Sequence, residues 1–189
     1  DSVQGILDAY DLRGGDNVKI DTGVYVLPAT IIVTTNDFGT VGAPILFLGS
    51  SNTFGTVLSR SGADPVLRLD RTDYATFQRL SFRDGSHGLQ IDGDASDYCE
   101  GITVQDCTFS NNTAYGVSIE YGRSVDMTGC DIDNHHSGGI GGTYCDGMQA
   151  VRCEVHGNGG GTGIDVLGTN LVIRDNRVSG RGGYGGIYA

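Results

Sequence analysis

Four side chains able to exchange protons stand at matched positions in this sequence. Asp131 and Asp133 are followed 23 residues later by Glu154 and His156, and Arg177 lies another 23 beyond Glu154. If that step is one coil of a repeating fold, the acids of one coil lie directly beside the acid and imidazole of the next. Neighbouring strands stand about 4.8 Å apart and alternate residues about 6.6 Å apart along a strand, so the four make a compact square. Carboxylates held this close repel. One pKa then rises, leaving a proton donor beside an ionised base, a pairing used in glycoside hydrolysis and in proton abstraction from a sugar carbon. Asp131, Glu154 and His156 are therefore the candidate catalytic groups, with Arg177 holding substrate or a neighbouring carboxylate. The same square would also accept a divalent cation through oxygen and imidazole ligands. The plainer alternative is that an acidic protein carries its acids on the outside.

Around the square, Asp133, His135, Arg152 and Tyr115 are the candidate substrate-binding groups. His135 and His136 fall in the turn after Asp133, where they would add a base or a ligand, or simply be solvated. Tyr115 and Tyr184 open equivalent strands, with Tyr121, Tyr144 and Tyr188 nearby; such rings either stack on sugars or cover coil edges. A separate loop holds Asp92, Asp94, Asp97 and Glu100, oxygen donors of the kind Ca2+ takes, so Ca2+ is the one cofactor the sequence suggests. The loop lacks the central glycine and distal glutamate of an EF-hand.

The elements that must position these residues are short coils. Cys107, Cys130, Cys153 and Asn176 form one column at 23-residue spacing, with Phe109, Ile132, Val155 and Val178 two residues on and Val104, Met127, Ala150 and Ile173 three residues back. A repeat this short cannot bury its own apolar face and must stack on its neighbours. Alternation then places Thr108, Asp131, Glu154 and Arg177 in one outward line, and Ser110, Asp133, His156 and Ser179 in another. Upstream, residues 2–10 carry Val3, Ile6, Leu7 and Tyr10 at helical spacing behind Asp1 or Ser2 as N-cap, which predicts a short helix laid over the open end of the stack. Strand-like runs from Val18 to Ser59 form irregular first coils. The step from Leu80 to Cys107 is 27 residues, so a loop leaves the stack around Asp92–Glu100.

Composition narrows the partners. A formal charge of −11 with only 12 Lys and Arg opposes binding to a phosphate backbone, so nucleic acid is excluded as a partner. No apolar run approaches a membrane span. Five cysteines cannot all pair within the chain, and three sit in one inward column, which reads as buried thiols. The sequence starts without methionine and stops in mid-repeat, as a piece of a longer chain with flanking domains would. The divisions expected are a capping helix at 1–13, irregular coils at 14–100, and regular coils at 101–189 that continue beyond the segment.

Gly15-Asp16-Asn17-Val18-Lys19-Ile20 followed by Thr22-Gly23-Val24-Tyr25 resembles the opening segment of bacterial right-handed parallel β-helix proteins, the pectate-lyase-like superfold. Gly42-Ala43-Pro44-Ile45 through Gly49 is similar to the strand that follows there. The resemblance implies an all-β, right-handed parallel β-helix, secreted or at the cell surface, that binds and processes a polysaccharide as lyase, epimerase or hydrolase. Two departures matter: Lys19 is the only lysine, which argues against a lysine base, and Ser118 and Glu120 stand where epimerase-like members carry Tyr, His and Asp. A non-catalytic structural or adhesive segment of a surface protein or tail fibre is the alternative. The fold is shared by both kinds of protein.

Overall fold

The computed structural model describes residues 2–52, 55–180 and 186–189. The chain winds as a parallel β-helix of three sheets, visited in the same order on each coil. Sheet one starts at Asn17–Lys19, sheet two at Gly23–Val26 and sheet three at Ile31–Val33. Strand pairing follows the 23-residue columns: Val104 opposes Met127 and Met127 opposes Ala150, while Phe109, Ile132, Val155 and Val178 pair in series. Earlier coils are longer and uneven. Val18 pairs with Phe47, Val24 with Val57 and Ile31 with Leu67, steps of 29, 33 and 36 residues.

The inward columns are dry. Val104, Phe109, Val117, Met127, Ile132, Ile140, Val155 and Ile164 are fully buried. Phe47 stacks on Phe77 at 4.9 Å between centroids and Phe82 on Phe109 at 5.1 Å, so aromatic rings continue from coil to coil as the backbone does. In the five later coils the corner between sheets one and two turns through a single left-handed residue: Arg79, Asp106, Gly129, Arg152 and Asp175. Four of these are not glycine, although a left-handed backbone costs a side chain about 1 kcal/mol. The stack over-determines the corner, so sequence composition does not mark it.

The end of the stack is closed as expected. Val3–Ala9 is a helix whose first turn is capped by Ser2 Oγ, which accepts from Gly5 N at 3.0 Å, and Val3 and Leu7 face the core. Gln4 Oε1 accepts the Ile32 amide at 2.8 Å, satisfying a donor on the first strand of sheet three. Asp1, the other N-cap candidate, lies outside the described residues. Tyr10 departs from expectation: it is the C-cap, with extended backbone, and is 67% exposed. The helix ends before its fourth apolar position can turn inward. Among the described residues no helix is long and apolar enough to cross a membrane. All five cysteines are free and buried, and burial pushes the Cys107 thiol up to about 12.

Candidate functional site

The square forms on the outer face of sheet two. Asp131 lies opposite Glu154 and Asp133 opposite His156, with Arg177 and Ser179 on the next coil. The side chains pair across it. His156 Nε2 contacts Asp131 Oδ1 at 2.9 Å along one diagonal, and Arg177 Nη1 donates to Glu154 Oε1 at 3.0 Å. Asp133 is left as the odd carboxylate, accepting from the side-chain Nδ2 of Asn134. Partial burial and the charge of Asp131 raise its pKa, against the opposing pull of His156. Chemically, the square offers an imidazole oriented by one acid beside a second acid that protonates more readily. It is an open face, and exposed pairs of this kind hold together by about 1 kcal/mol or less.

His135 does not join it. The residue is 1% exposed, inside the corner between sheets two and three. Its Nδ1 accepts the Asn112 amide at 3.2 Å, and its own amide donates to Asn158 Oδ1 at 2.9 Å. Asn112 in turn accepts from Gly85 N at 3.0 Å and donates to Phe82 O at 3.4 Å. A polar ladder of Asn112, His135 and Asn158 thus runs through the core at the same 23-residue step. The expectation of a turn histidine beside the square is corrected, because these buried corner amides need internal acceptors. Burial lowers the His135 pKa to about 4. The signal was a column three residues past Phe109, legible once Asn and His are allowed inside. Asn176 does the corresponding work at the other corner, accepting from Cys153 N and donating to Ala150 O, both at 2.8 Å.

Concave features lie on all three faces: on sheet two a hollow of about 260 Å³ lined by Thr56, Ser81 and Thr108 sits on the coils before the square. On sheet three, Ser118, Gly141 and Asp165 are outward neighbours on successive coils, as are Glu120 and Thr143 one position along. A trench of about 220 Å³ lies between Ser118 and Asp165, walled by Tyr115 and Leu167. The Tyr115 ring lies over the next coil because Gly138 and Gly141 leave room for it; a Cβ at either would stand 2.9 Å from the ring. His87 stacks against Tyr115 at 6.2 Å. At the far edge a bulge sets Thr143 and Tyr144 against Leu167 alone. Tyr144 therefore turns out onto Tyr121, ring on ring at 4.4 Å, and remains 58% exposed. Tyr184 lies outside the described residues.

A polar groove of about 320 Å³ on sheet one collects Thr103, Gln105, Asp126, Thr128, Gln149, Arg152 and Arg174. Arg152 is thus at the corner between sheets one and two, away from Tyr115. The acidic loop is committed to its own structure. Asp94 Oδ1 accepts from Ser96 N, Ser96 Oγ and Asp97 N at 2.8, 2.6 and 3.0 Å, which holds its pKa below the usual carboxylate range. Asp92 pairs with Arg68 at 3.2 Å. Among the described residues no three His, Cys, Asp or Glu side chains converge as a metal-ligand set. The loop does leave the stack where expected: residues 93–98 stand where the next coil has Tyr121 alone.

Comparison with known proteins agrees with this architecture. No curated protein matches the sequence. Among solved structures, an alginate lyase from a Paenibacillus species superposes with a TM-score of 0.61 at 15% identity, over 92% of this chain and 72% of that one. A pectate lyase gives 0.61 at 16% identity, over 93% of this chain and 57% of its own length. A pectin methylesterase in complex with a hexasaccharide gives 0.56 at 12% identity, over 97% and 63%. At these identities the likeness is one of fold. The family model described as "Right handed beta helix region" matches residues 66–188, about two thirds of the sequence and all of its regular coils, so the chain belongs to the right-handed β-helix family.

Proposed function

We propose that this protein binds a polysaccharide across its coils, with the sugar chain lying in the sheet-three trench. The observation that carries the reading is a trench lined by Ser118, Glu120, Thr143 and Asp165, with the Tyr115 ring seated on Gly138 and Gly141 as one wall. A sugar needs hydrogen-bonding partners for its hydroxyls and a flat apolar surface for its ring face, and the trench supplies both within one concavity. The structurally similar alginate and pectate lyases and the pectin methylesterase lend the reading support by the substrates in their names. Such polymers lie outside the cell, so the protein acts as a secreted or surface component.

A second reading adds turnover of lyase, epimerase or hydrolase type at the sheet-two square. The Asp131–His156 contact favours it, with Asp133 as the readily protonated neighbour and Glu154 fixing Arg177. The square and the trench lie on different faces, separated by the His135 corner, so binding is the stronger conclusion. The test is a glycan screen with and without Ca2+, reading affinity together with release of reducing or unsaturated ends. Binding that disappears in Tyr115→Ala supports the trench; turnover abolished by Asp131→Asn supports the square. Silence across acidic and neutral glycans refutes both and leaves a structural or adhesive segment.

A further inference from the structure

We infer that the trench selects a glycan carrying ammonium groups, a polymer of unacetylated amino sugar, and rejects polyuronates. The inference rests on the binding reading above and adds the charge of the ligand. Glu120 and Asp165 line the trench, and no Lys or Arg among the described residues lines it with them. The described arginines of this sheet are spent elsewhere. Arg68 pairs with Asp70 and Asp92 at 3.3 and 3.2 Å, and Arg71 with Asp70 at 3.1 Å. Arg123 lies at the corner between Glu100 and Asp146, 3.9 Å from each, with its guanidinium 4.5 Å over the Tyr98 ring. Among the described residues, therefore, no cation pairs with the trench's two carboxylates, one on each bank, in a chain of net charge −11.

A uronate laid in the trench would bring its own carboxylates between those banks, and like charges in a concavity repel more strongly than on open surface. An ammonium group meets the reverse. It finds a carboxylate on either side and the face of Tyr115 at the end, a ring that attracts cations through its quadrupole. Glu120 and Asp165 belong to coils two strands apart, about 10 Å at the ordinary strand spacing, so both reach a sugar chain lying between them. Ser118 and Thr143 remain for hydroxyls.

The experiment is calorimetric titration of the intact chain with four probes: oligomers of unacetylated glucosamine, the same oligomers fully N-acetylated, polygalacturonate and alginate, each at low and high salt. The expected result is binding of the unacetylated oligomer at least tenfold tighter than the acetylated one, weakening as salt screens the carboxylates. The double variant Glu120→Gln/Asp165→Asn should lose that preference. Its control, Asp11→Asn/Asp21→Asn, removes the same charge at the far end of the stack and should keep it. Equal loss in both variants, equal affinity for the acetylated probe, or tighter binding of either polyuronate overturns the inference while the trench remains a glycan site. Failure to bind any probe or neutral glycan instead overturns the binding reading itself.

Discussion

Lowering the pH from 7 to 4 should destabilise this protein through one buried imidazole. His135 is enclosed in the corner ladder, and its pKa falls from an ordinary 6.5 to about 4 because burial penalises the charged ring, with the nearby charge of His87 adding repulsion. The unfolded chain takes up this proton first as pH falls. Stability contributed by the neutral ring is complete above pH 6.5, drains between 6.5 and 4, and changes no further once both states are protonated. At about 1.4 kcal/mol per pH unit, the window amounts to roughly 3 kcal/mol, a large share of a typical domain's stability. His87, whose pKa is also lowered by burial, acts in the same direction, while Asp73, Asp126 and Asp133, whose pKa values are raised, act in the opposite one. The difference between parent and His135→Asn isolates the effect. Asparagine at this position matches Asn112 and Asn158 in the same column and can accept the Asn112 amide without titrating. Urea unfolding of both proteins at pH 7, 6, 5 and 4 should show the parent losing about 3 kcal/mol relative to the variant. Superimposable profiles would refute a neutral, enclosed His135.

Three further outcomes follow from the packing. Phe109→Ala should cost about 3–5 kcal/mol in urea unfolding, because it removes a ring fully buried against Phe82 within a column that every coil shares. The five cysteines should be inert to a thiol reagent in the native state and all react in denaturant; rapid native labelling of even one would contradict their burial. Gly141→Val should leave the fold intact yet abolish glycan binding, since its side chain fills the trench and displaces the Tyr115 ring, readable as normal circular dichroism with a flat titration.

The fold was legible because a coil of fixed length writes its core as columns, and Phe109, Ile132, Val155 and Val178 pair as the spacing requires. The outward square was legible for the same reason, since alternation fixes which side chains leave the core. Two features were not. Asn112, His135 and Asn158 recur with the same period, but polar residues between strands read as solvated turns until the backbone donors they satisfy are located. The trench depends on Gly138 and Gly141, whose missing side chains leave the place that the Tyr115 ring occupies as its wall. A glycine in a strand marks either a weak spot or a close approach, and only the neighbouring coils decide which.

Placing the trench and the square on different sheets has a kinetic consequence. Each coil is held to its neighbours by parallel backbone pairing on all three faces, so no hinge brings sheet two toward sheet three. A ligand in the trench therefore cannot touch Asp131 and His156 unless it wraps the corner formed by residues 134–137. If the protein turns over a polysaccharide at the square, a short oligomer that fits the trench alone should bind without reacting, while a longer chain reacts. Tyr115→Ala should then raise KM for the long substrate with kcat unchanged, because it removes binding shared by ground and transition states. Asp131→Asn should lower kcat with the affinity intact. Turnover of the short oligomer, or loss of kcat in Tyr115→Ala, would place the reacting atoms in the trench instead, and would make Glu120 and Asp165 the acids to test.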